Sequence, residues 1–406
     1  MATLTTSDGS SRLALAFSCV GHAYSHLFAP IFFIVVLALE QSFSLSHGSA
    51  VSLIIAGNML FGLAAPLAGW LGDRWSATGM MALFFLGTGG GLIATGFAAD
   101  PVEIGLGLAA TGTFASIYHP VGMAWLVRNA RSWGKALGIN GVFGSLGPAA
   151  AALSAGALID YAGWRAAFIV PGAVVVATGV LFCALIACGA IVEVREDRAP
   201  APRPARGDAA RAFIVLSLTM LCSGLIYQAT QPALPKLLFE RAGAWIWSDG
   251  GAFGVSMLVS LVYLASGACQ ILAGHLADRF PMKRVYVCCF AAQVPVLLLA
   301  STVGGGPIVA VAMLMVCANV GALPAENGLV ALYAPAHRRG FAYGLKFVLA
   351  FGVSGLGVQL EGMLYDATGG FVWLFTVLAS LAAVGFAAAC LLPAERASMS
   401  VAAPAQ

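Results

Sequence analysis

The segment GWLGDR at residues 69–74 recurs 205 positions later as GHLADR at residues 274–279. Both copies follow a long apolar run and end in an acid beside a base. Further landmarks repeat at an offset of 206, and these pairs are Gly122 with Gly328, Gly134 with Gly340, Gly138 with Gly344, and Asp160 with Asp366. One near-constant offset over five landmarks indicates that the chain consists of two similar halves.

The chain around this repeat is overwhelmingly apolar. Of its 406 residues, 60% are hydrophobic and only 9% are charged. Soluble domains carry about 25% charged residues, so this chain cannot cover a water-facing surface. The composition therefore excludes a soluble enzyme, a nucleic-acid-binding protein and a fibrous protein, and it indicates an integral membrane protein.

The apolar residues form twelve segments separated by short polar breaks, and a membrane-spanning helix needs about 20 such residues. In order, and called spans 1 to 12 here, they are roughly 13–39, 49–71, 77–98, 102–127, 135–158, 165–189, 213–239, 251–276, 285–303, 307–334, 341–365 and 371–392. These runs are too long and too uniformly apolar for the strands of a membrane barrel. The sequence predicts an all-α membrane protein of twelve transmembrane helices.

The longest polar stretch, Glu193 to Arg211, lies between spans 6 and 7 and contains three prolines that alternate with small residues. Such a stretch is typical of a linker. We therefore expect a six-helix bundle at 1–192, a cytoplasmic linker at 193–211 and a pseudo-symmetric six-helix bundle at 212–406. A duplicated six-helix unit is typical of a secondary transporter whose site lies between the halves.

The positions of the cations predict the orientation. With both termini in the cytoplasm, 16 of the 20 Lys and Arg residues lie in cytoplasmic loops, as the positive-inside rule requires. They are Arg12, Arg74, Arg128, Arg131, Lys135, Arg195, Arg198, Arg203, Arg206, Arg211, Arg279, Lys283, Arg284, Arg338, Arg339 and Arg396. The expected location is the cell (inner) membrane, crossed many times by one chain.

The loops after spans 2 and 8 resemble the Gly-x-x-x-Asp-Arg loops of the major facilitator superfamily. That resemblance covers essentially the whole chain. It implies that both loops lie at the cytoplasmic face and help to latch the two halves in the outward-open state, although Ser76, Ala77 and Thr78 stand where basic residues usually follow the first loop. The predicted latch residues are Gly69, Asp73, Arg74, Gly274, Asp278 and Arg279.

Span 5 carries closely spaced glycines that end in Gly144, Gly147 and Pro148. Dense glycine allows helices to touch backbone to backbone, and a proline permits a bend. The segment is similar to the Gly-Pro motif of antiporters in this superfamily, although Phe143 replaces one of its glycines. Two interpretations stay open. The segment is either a hinge of an antiporter or a glycine-rich packing surface that says nothing about the direction of transport.

Polar residues inside spans are costly in hydrocarbon and point to a functional site. The resemblance implies that spans 1, 4, 7 and 10 line a central cavity, and each carries polar residues. The candidates are His22, His26, Tyr118, His119, Tyr227, Gln231, Asn319, Glu326 and Asn327, with Lys346 entering from span 11. His22 and His26 are four residues apart and so share one helix face.

Each candidate also has a structural interpretation. The histidines could be neutral groups that bond neighbouring helices, and Glu326 could form a static ion pair with Lys346. Near the outer helix ends, Lys236 is expected to snorkel to the headgroups. Glu40 and Glu361 are expected to be interfacial.

The predicted mechanism is alternating access coupled to protons, because histidine titrates near neutral pH and no Gly-x-x-x-x-Gly-Lys loop is present. The segment Tyr118-His119-Pro120 also resembles the His-Pro element of fosmidomycin-resistance-type exporters. One acid against three histidines and Lys346 favours an anionic solute. Export by antiport is the first hypothesis, proton-symport uptake of a carboxylate the second, and a non-transporting receptor a remote third.

The remaining expectations concern partners. The nine cysteines show no metal-ligand spacing, no nucleotide-binding loop is present and no set of catalytic residues can be assembled, so the sequence predicts no bound metal, no cofactor and no enzymatic activity. The expected partners are a small-molecule substrate, protons and the lipid bilayer, without nucleic acid. Nothing argues against a monomer.

Overall fold

The computed structural model describes residues 8–130, 133–193, 206–246, 251–333 and 344–393, and these residues contain helices and no strand. The predicted all-helical class is confirmed. Several predictions lie outside the described residues, namely those on Arg131, Arg195, Arg198, Arg203, Arg338, Arg339, Arg396, Gly340 and linker positions 194–205. The predicted domain boundaries stay predictions.

The helices of the first half are short where a span is interrupted and long elsewhere. They are α1 (Asp8–Ser25), α2 (Phe28–Ser42), α3 (His47–Ser52), α4 (Ile55–Leu63), α5 (Ala65–Arg74), α6 (Ala77–Phe97), α7 (Pro101–Ala115), a π-helical turn (Tyr118–Gly122), α8 (Met123–Asn129), α9 (Trp133–Ala162) and α10 (Trp164–Ala187).

The second half repeats this alternation of long and interrupted helices. Its helices are α11 (Arg206–Ile246), α12 (Ala252–Arg279), α13 (Met282–Thr302), α14 (Pro307–Val320), α15 (Leu323–Tyr333), a π-helical segment (Val348–Val353), α16 (Leu356–Thr368) and α17 (Val372–Cys390).

Ten helices among the described residues are long and apolar enough to cross a membrane, or eleven if the pair His47–Leu63 and Ala65–Arg74, bent by 41°, is one span. Predicted span 4 fails this length test because the π-helical turn separates α7, of 15 residues, from α8. The chain is therefore a multi-pass membrane protein. The count of twelve spans and the location of the termini stay predictions.

The spans are interrupted where the candidate residues lie. Span 1 breaks between α1 and α2, at His26 and Leu27, and the π-helical turn in span 4 contains His119. The π-helical segment in span 11 follows Lys346 within two residues. Irregular backbone inside a membrane is tolerated where protein surrounds it, and π-helical turns are frequent at functional sites. The sequence predicted the spans but not these breaks.

The spans end at two faces that differ in charge. At the face called the basic end here, α5 and α12 finish at Arg74 and Arg279. The other face, called the His47 end, is where α3 begins. The halves touch along two lines: α9 packs against α12, where the Ser260 hydroxyl donates to the Ala149 carbonyl at 2.7 Å, and α3–α4 pack against the π-helical segment and α16.

Glycine sets the distance between α1 and α9. A methyl group on Gly147 would lie 2.9 Å from the Ala23 Cα and would also meet the Ala23 carbonyl oxygen, whereas one on Gly141 of the same helix would meet nothing within 4 Å. We expect Gly147→Ala to lower the thermal unfolding midpoint in detergent, because overpacking costs about 1–3 kcal/mol. Gly141→Ala is the matched control and is expected to leave the midpoint unchanged. Equal midpoints for the two variants would contradict this packing.

Candidate functional site

Three histidines from two spans form a compact cluster, called the histidine triad here. The ring centroids of His22, His26 and His119 lie 5.2–5.4 Å apart in every pairing. One nitrogen from each ring lies within 4.8 Å of the other two. The break after α1 and the π-helical turn of span 4 place these rings together, so the structure unites all three predicted histidines.

A hydrogen bond to the backbone determines the tautomer of His22. Its Nδ1 lies 2.8 Å from the backbone carbonyl oxygen of Asn140. A carbonyl only accepts, so Nδ1 carries the hydrogen and Nε2 of the neutral ring keeps a free lone pair. The Tyr118 ring stacks on His22 at 5.1 Å. A methyl group on Gly144 would lie 2.7 Å from His22 Nε2, so this predicted packing glycine makes room for the imidazole.

The second half contributes a buried ion pair. The Lys346 ammonium lies 2.8 Å from Glu326 Oε1, and the Tyr286 hydroxyl donates to Glu326 Oε2 at 2.8 Å. Glu326 is 2% exposed and Lys346 is 6% exposed. Lys346 also donates to Asn327 Oδ1 at 2.5 Å. The ion pair that the sequence left open as an alternative is present, and it cancels the charge of the one lysine predicted at the site.

Aromatic rings connect the ion pair to the triad across the interface between the halves. Phe347, next to Lys346, stacks on His119 at 4.8 Å. Phe351 packs edge-on against Phe61 at 5.1 Å. Beside these rings lies a small cavity whose lining includes Ser25, His26, Asn58, Phe61, Pro148, Tyr227, Gln228, Gln231 and Phe351. Both halves therefore contribute to one central region, called the central site here.

Asn319 lies apart from this lining. Its Nδ2 donates to the Ser223 carbonyl at 3.2 Å and to Gln293 Oε1 at 3.2 Å, which joins three helices of the second half. Gln231 lines the cavity, and its Oε1 accepts from the Tyr263 hydroxyl. Of the predicted polar set, His26, Tyr227 and Gln231 line the cavity, whereas Asn319 bonds neighbouring helices.

Four charged residues form a second cluster at the His47 end, called the four-residue cluster here. His47 Nδ1 lies 2.6 Å from Glu40 Oε1, and His47 Nε2 lies 2.9 Å from Glu361 Oε1. The Lys236 ammonium lies 2.7 Å from Glu40 Oε2. Glu361 is fully buried, at 0% exposure. Lys236 pairs with Glu40 instead of extending away from the protein, and Glu361 is buried against His47. The expectation of a snorkelling Lys236 is therefore wrong, and the interfacial position of Glu40 and Glu361 stays a prediction.

With His47 as an imidazolium the four-residue cluster is electrically balanced, and it joins the halves. An imidazolium can donate from both nitrogens, so His47 bridges two carboxylates, and Lys236 supplies the second positive charge. Glu40 and His47 belong to the first half, whereas Lys236 and Glu361 belong to the second. Sequence reasoning missed His47, because its partners Glu361 and Lys236 are far away in the chain and no local pattern marks their contact.

Two aspartates close the same end in a pseudo-symmetric way. Asp160, at the end of α9, accepts from the backbone N–H groups of Ala252 and Phe253, where α12 begins. Asp366, 206 residues later, accepts from the Gly48 N–H at 3.0 Å, where α3 begins. A carboxylate at a helix N-terminus satisfies free N–H groups and complements the helix dipole. The repeated aspartates therefore bind each half to the other.

Among the residues that the structure describes, no ion pair joins the predicted latch loops across the halves. Asp73 lies 3.2 Å from Arg128 of the same half, and the Arg74 guanidinium lies over the Trp70 ring. Within the described residues, Asp278 and Arg279 are exposed and have no ion-pair partner. The first glycine of each loop packs against a proline: Gly69 faces Pro120, and Gly274 faces Pro324. The latch role stays a prediction, since the structure is held closed at the His47 end.

Comparisons with known proteins agree with this architecture. The family model described as the Major Facilitator Superfamily matches residues 14–243 and 216–406. Two crystal structures of a bacterial homologue of the human lysosomal transporter Spinster, both inward-facing and one of them occupied, superpose with TM-scores of 0.73 and 0.72 at 16% identity, over 95% of each chain. Likeness at this identity shows the fold alone.

A curated relative matches a smaller region. The puromycin resistance protein pur8 of Streptomyces alboniger is 29% identical over 135 residues, which are 32% of this chain and 27% of that protein. The family matches together extend over nearly the whole chain. The protein is therefore a multi-pass membrane transporter rather than an enzyme, and it belongs to the major facilitator superfamily.

Proposed function

We propose that this chain is a proton-coupled secondary transporter that moves a small organic solute through the central site by alternating access. The observation that supports the proposal most directly is the buried Glu326–Lys346 ion pair inside the spans of the second half. Phe347, next to Lys346, stacks on His119, and His119 packs against His26, which lines the cavity. Intramembrane ionisable residues of this kind mark proton and substrate pathways. The basic end is taken as cytoplasmic, following the positive-inside rule.

Alternating access requires that each end close in turn. The four-residue cluster and the Asp160 and Asp366 caps hold the His47 end closed, so the structure represents a state that faces the basic end or is occluded. The inward-facing conformation of the two Spinster homologue structures supports this assignment. Opening of the His47 end requires the cluster to separate, and the latch loops at the basic end would then bring the halves together.

Export in exchange for protons is the first candidate. A solute that donates hydrogen bonds to the imidazole lone pairs of the histidine triad competes with protons for the same nitrogens, and such competition is the requirement for antiport. The partial similarity to the puromycin resistance protein also supports export. Because Lys346 is paired with Glu326, the central site carries less positive charge than the count of one acid against three histidines and Lys346 indicates.

Uptake by proton symport is the second candidate, and the ion pair favours it. Lys346 becomes available to an anionic solute only when a proton neutralises Glu326 and breaks their 2.8 Å contact. Proton and anion would then bind together. A carboxylate or another small anion is the substrate class that this arrangement fits.

The test uses purified protein in liposomes that contain a pH-sensitive dye, an imposed proton gradient and a panel of phosphonates, carboxylates, amino acids and cationic drugs. Solute-dependent proton flux is expected, and its sign distinguishes antiport from symport. Glu326→Gln is expected to reduce the flux to background, because the amide does not carry the proton. Glu103→Gln, which changes an exposed acid at a helix start, is the matched control and is expected to keep the flux. Equal flux in both variants would refute the role of Glu326.

A further inference from the structure

We propose that the histidine triad binds a divalent transition-metal ion of the zinc class, with a fourth coordination position open to a solute ligand. The proposal goes beyond the transport function above, since it concerns metal binding at equilibrium. The first observation is the convergence of three imidazoles whose nitrogens lie within 4.8 Å of one another. Imidazole is a preferred ligand of zinc, copper, nickel and iron.

The geometry of the triad is close to that of a three-histidine metal site. Zinc–nitrogen bonds of about 2.0–2.1 Å in a tetrahedron place ligand nitrogens about 3.3 Å apart. The triad nitrogens need to approach by at most about 1.5 Å from the observed spacing of 4.8 Å. The three rings form a nearly equilateral triangle, so small side-chain rotations bring all three toward one point.

The hydrogen bonds of the triad leave lone pairs available. His22 donates from Nδ1 to the Asn140 carbonyl at 2.8 Å, which is the outer contact that commonly orients a metal-binding histidine, and its Nε2 remains free to bind. His119 Nε2 is buried and has no hydrogen-bond partner among the described residues. A buried unpaired nitrogen costs about 1–3 kcal/mol, and a metal bond would satisfy it.

The surroundings favour a borderline metal over magnesium or calcium. The rings packed against the triad are those of Tyr118, Phe61 and Phe347, and among the described residues no carboxylate belongs to the cluster of ligand atoms. Hard cations require oxygen ligands, whereas three neutral imidazoles suit zinc, cobalt or nickel. The charge of nearby Lys346 is balanced by Glu326. His26 also lines the small cavity, so the fourth position faces the space where a solute enters.

The test measures metal binding by the full chain in detergent, at one pH near neutrality and without any gradient. We expect one equivalent of Co²⁺ with the intense visible absorption of a four-coordinate site, and displacement of Co²⁺ by Zn²⁺. His22→Gln, His26→Gln and His119→Gln are each expected to weaken binding at least about tenfold. His275→Gln, which removes an exposed histidine of α12, is the matched control and is expected to bind like the wild type.

A second variant distinguishes loss of the metal site from misfolding of the protein. Gly144→Ala leaves all three ligands in place but pushes a methyl group toward the His22 ring, so it is expected to weaken Co²⁺ binding while the protein stays monodisperse. Gly138→Ala, in open space on the same helix, is its control. Wild-type protein that binds Co²⁺ no better than His119→Gln, or loss of binding in His275→Gln, would overturn the proposal.

The metal-binding proposal and the transport proposal can be refuted separately. Glu326→Gln is expected to bind Co²⁺ normally, because Glu326 is not among the ligand atoms of the triad. Proton flux without Co²⁺ binding would overturn the metal site and leave the proposed transport function intact. Co²⁺ binding without any solute-dependent flux would support the metal site and overturn proton coupling.

Discussion

Lys346→Met is expected to produce the largest loss of stability of any single substitution at the central site. The change leaves the Glu326 carboxylate buried without its cation, while the Tyr286 hydroxyl still donates to it. Removing one partner of a buried ion pair costs about 3–5 kcal/mol, because the remaining charge loses its compensation. The thermal unfolding midpoint of the purified protein in detergent measures the effect.

The double variant Glu326→Gln with Lys346→Met distinguishes the stability lost through an unpaired charge from the stability lost through altered packing. Replacing both charges by neutral groups of similar volume is often neutral or stabilising, so the double variant is expected to recover most of the midpoint. Its proton flux is expected to stay at background, because the titratable group is gone. Arg284→Met, which removes an exposed cation, is the control and should leave both readouts unchanged. A double variant as unstable as Lys346→Met would show that packing, not the unpaired charge, sets the loss.

His47→Leu is expected to shift the protein toward a state that is open at the His47 end. Loss of the imidazolium removes the bridge between two carboxylates, and of these only Glu40 keeps a direct ion pair, with Lys236. Glu361 would then be a buried charge without a contacting cation, which costs about 3–5 kcal/mol in the closed state. That energy is comparable to the few kcal/mol that separate the conformations of a two-state protein.

Spin labels on either side of the His47 end measure this shift. Gln41 and Thr368 are exposed, belong to opposite halves and lie near the four-residue cluster. Double electron–electron resonance in a cysteine-free background is expected to show a longer distance in His47→Leu than in the unsubstituted protein. His275→Leu is the matched histidine control and should keep the short distance. An unchanged distance in His47→Leu would show that the Asp160 and Asp366 caps alone keep this end closed.

Much of the architecture could be predicted from the sequence because it follows from local properties. A membrane requires long apolar segments with internally satisfied hydrogen bonds, so composition and segment length predict helices wherever they occur. The repeat of GWLGDR as GHLADR predicted two related halves, and the family match agrees with the resemblance it implied. The polar residues of spans 1, 4, 10 and 11 marked the central site for a similar reason, since few polar side chains enter hydrocarbon without a function.

The interruptions within spans could not be predicted in the same way. The π-helical turn at Tyr118–Gly122 contains Pro120 and lies inside an apolar segment that hydropathy describes as continuous. Where a span bends or widens depends on which neighbouring helices satisfy the released backbone groups. That local geometry is what turns His119 toward His22 and His26.

Composition and repeats along the chain are enough to predict a helical membrane transporter of two related halves, with His22 and His26 on one helix face and a rare acid, Glu326, inside a span. The partners of these residues follow from tertiary packing: His119 completes the histidine triad, Lys346 neutralises Glu326, and His47 joins residues of both halves. The physical reason is that hydropathy and helical periodicity act along the chain. Contacts such as His47 with Glu361, 314 residues apart, depend instead on how each helix is rotated and packed against the others.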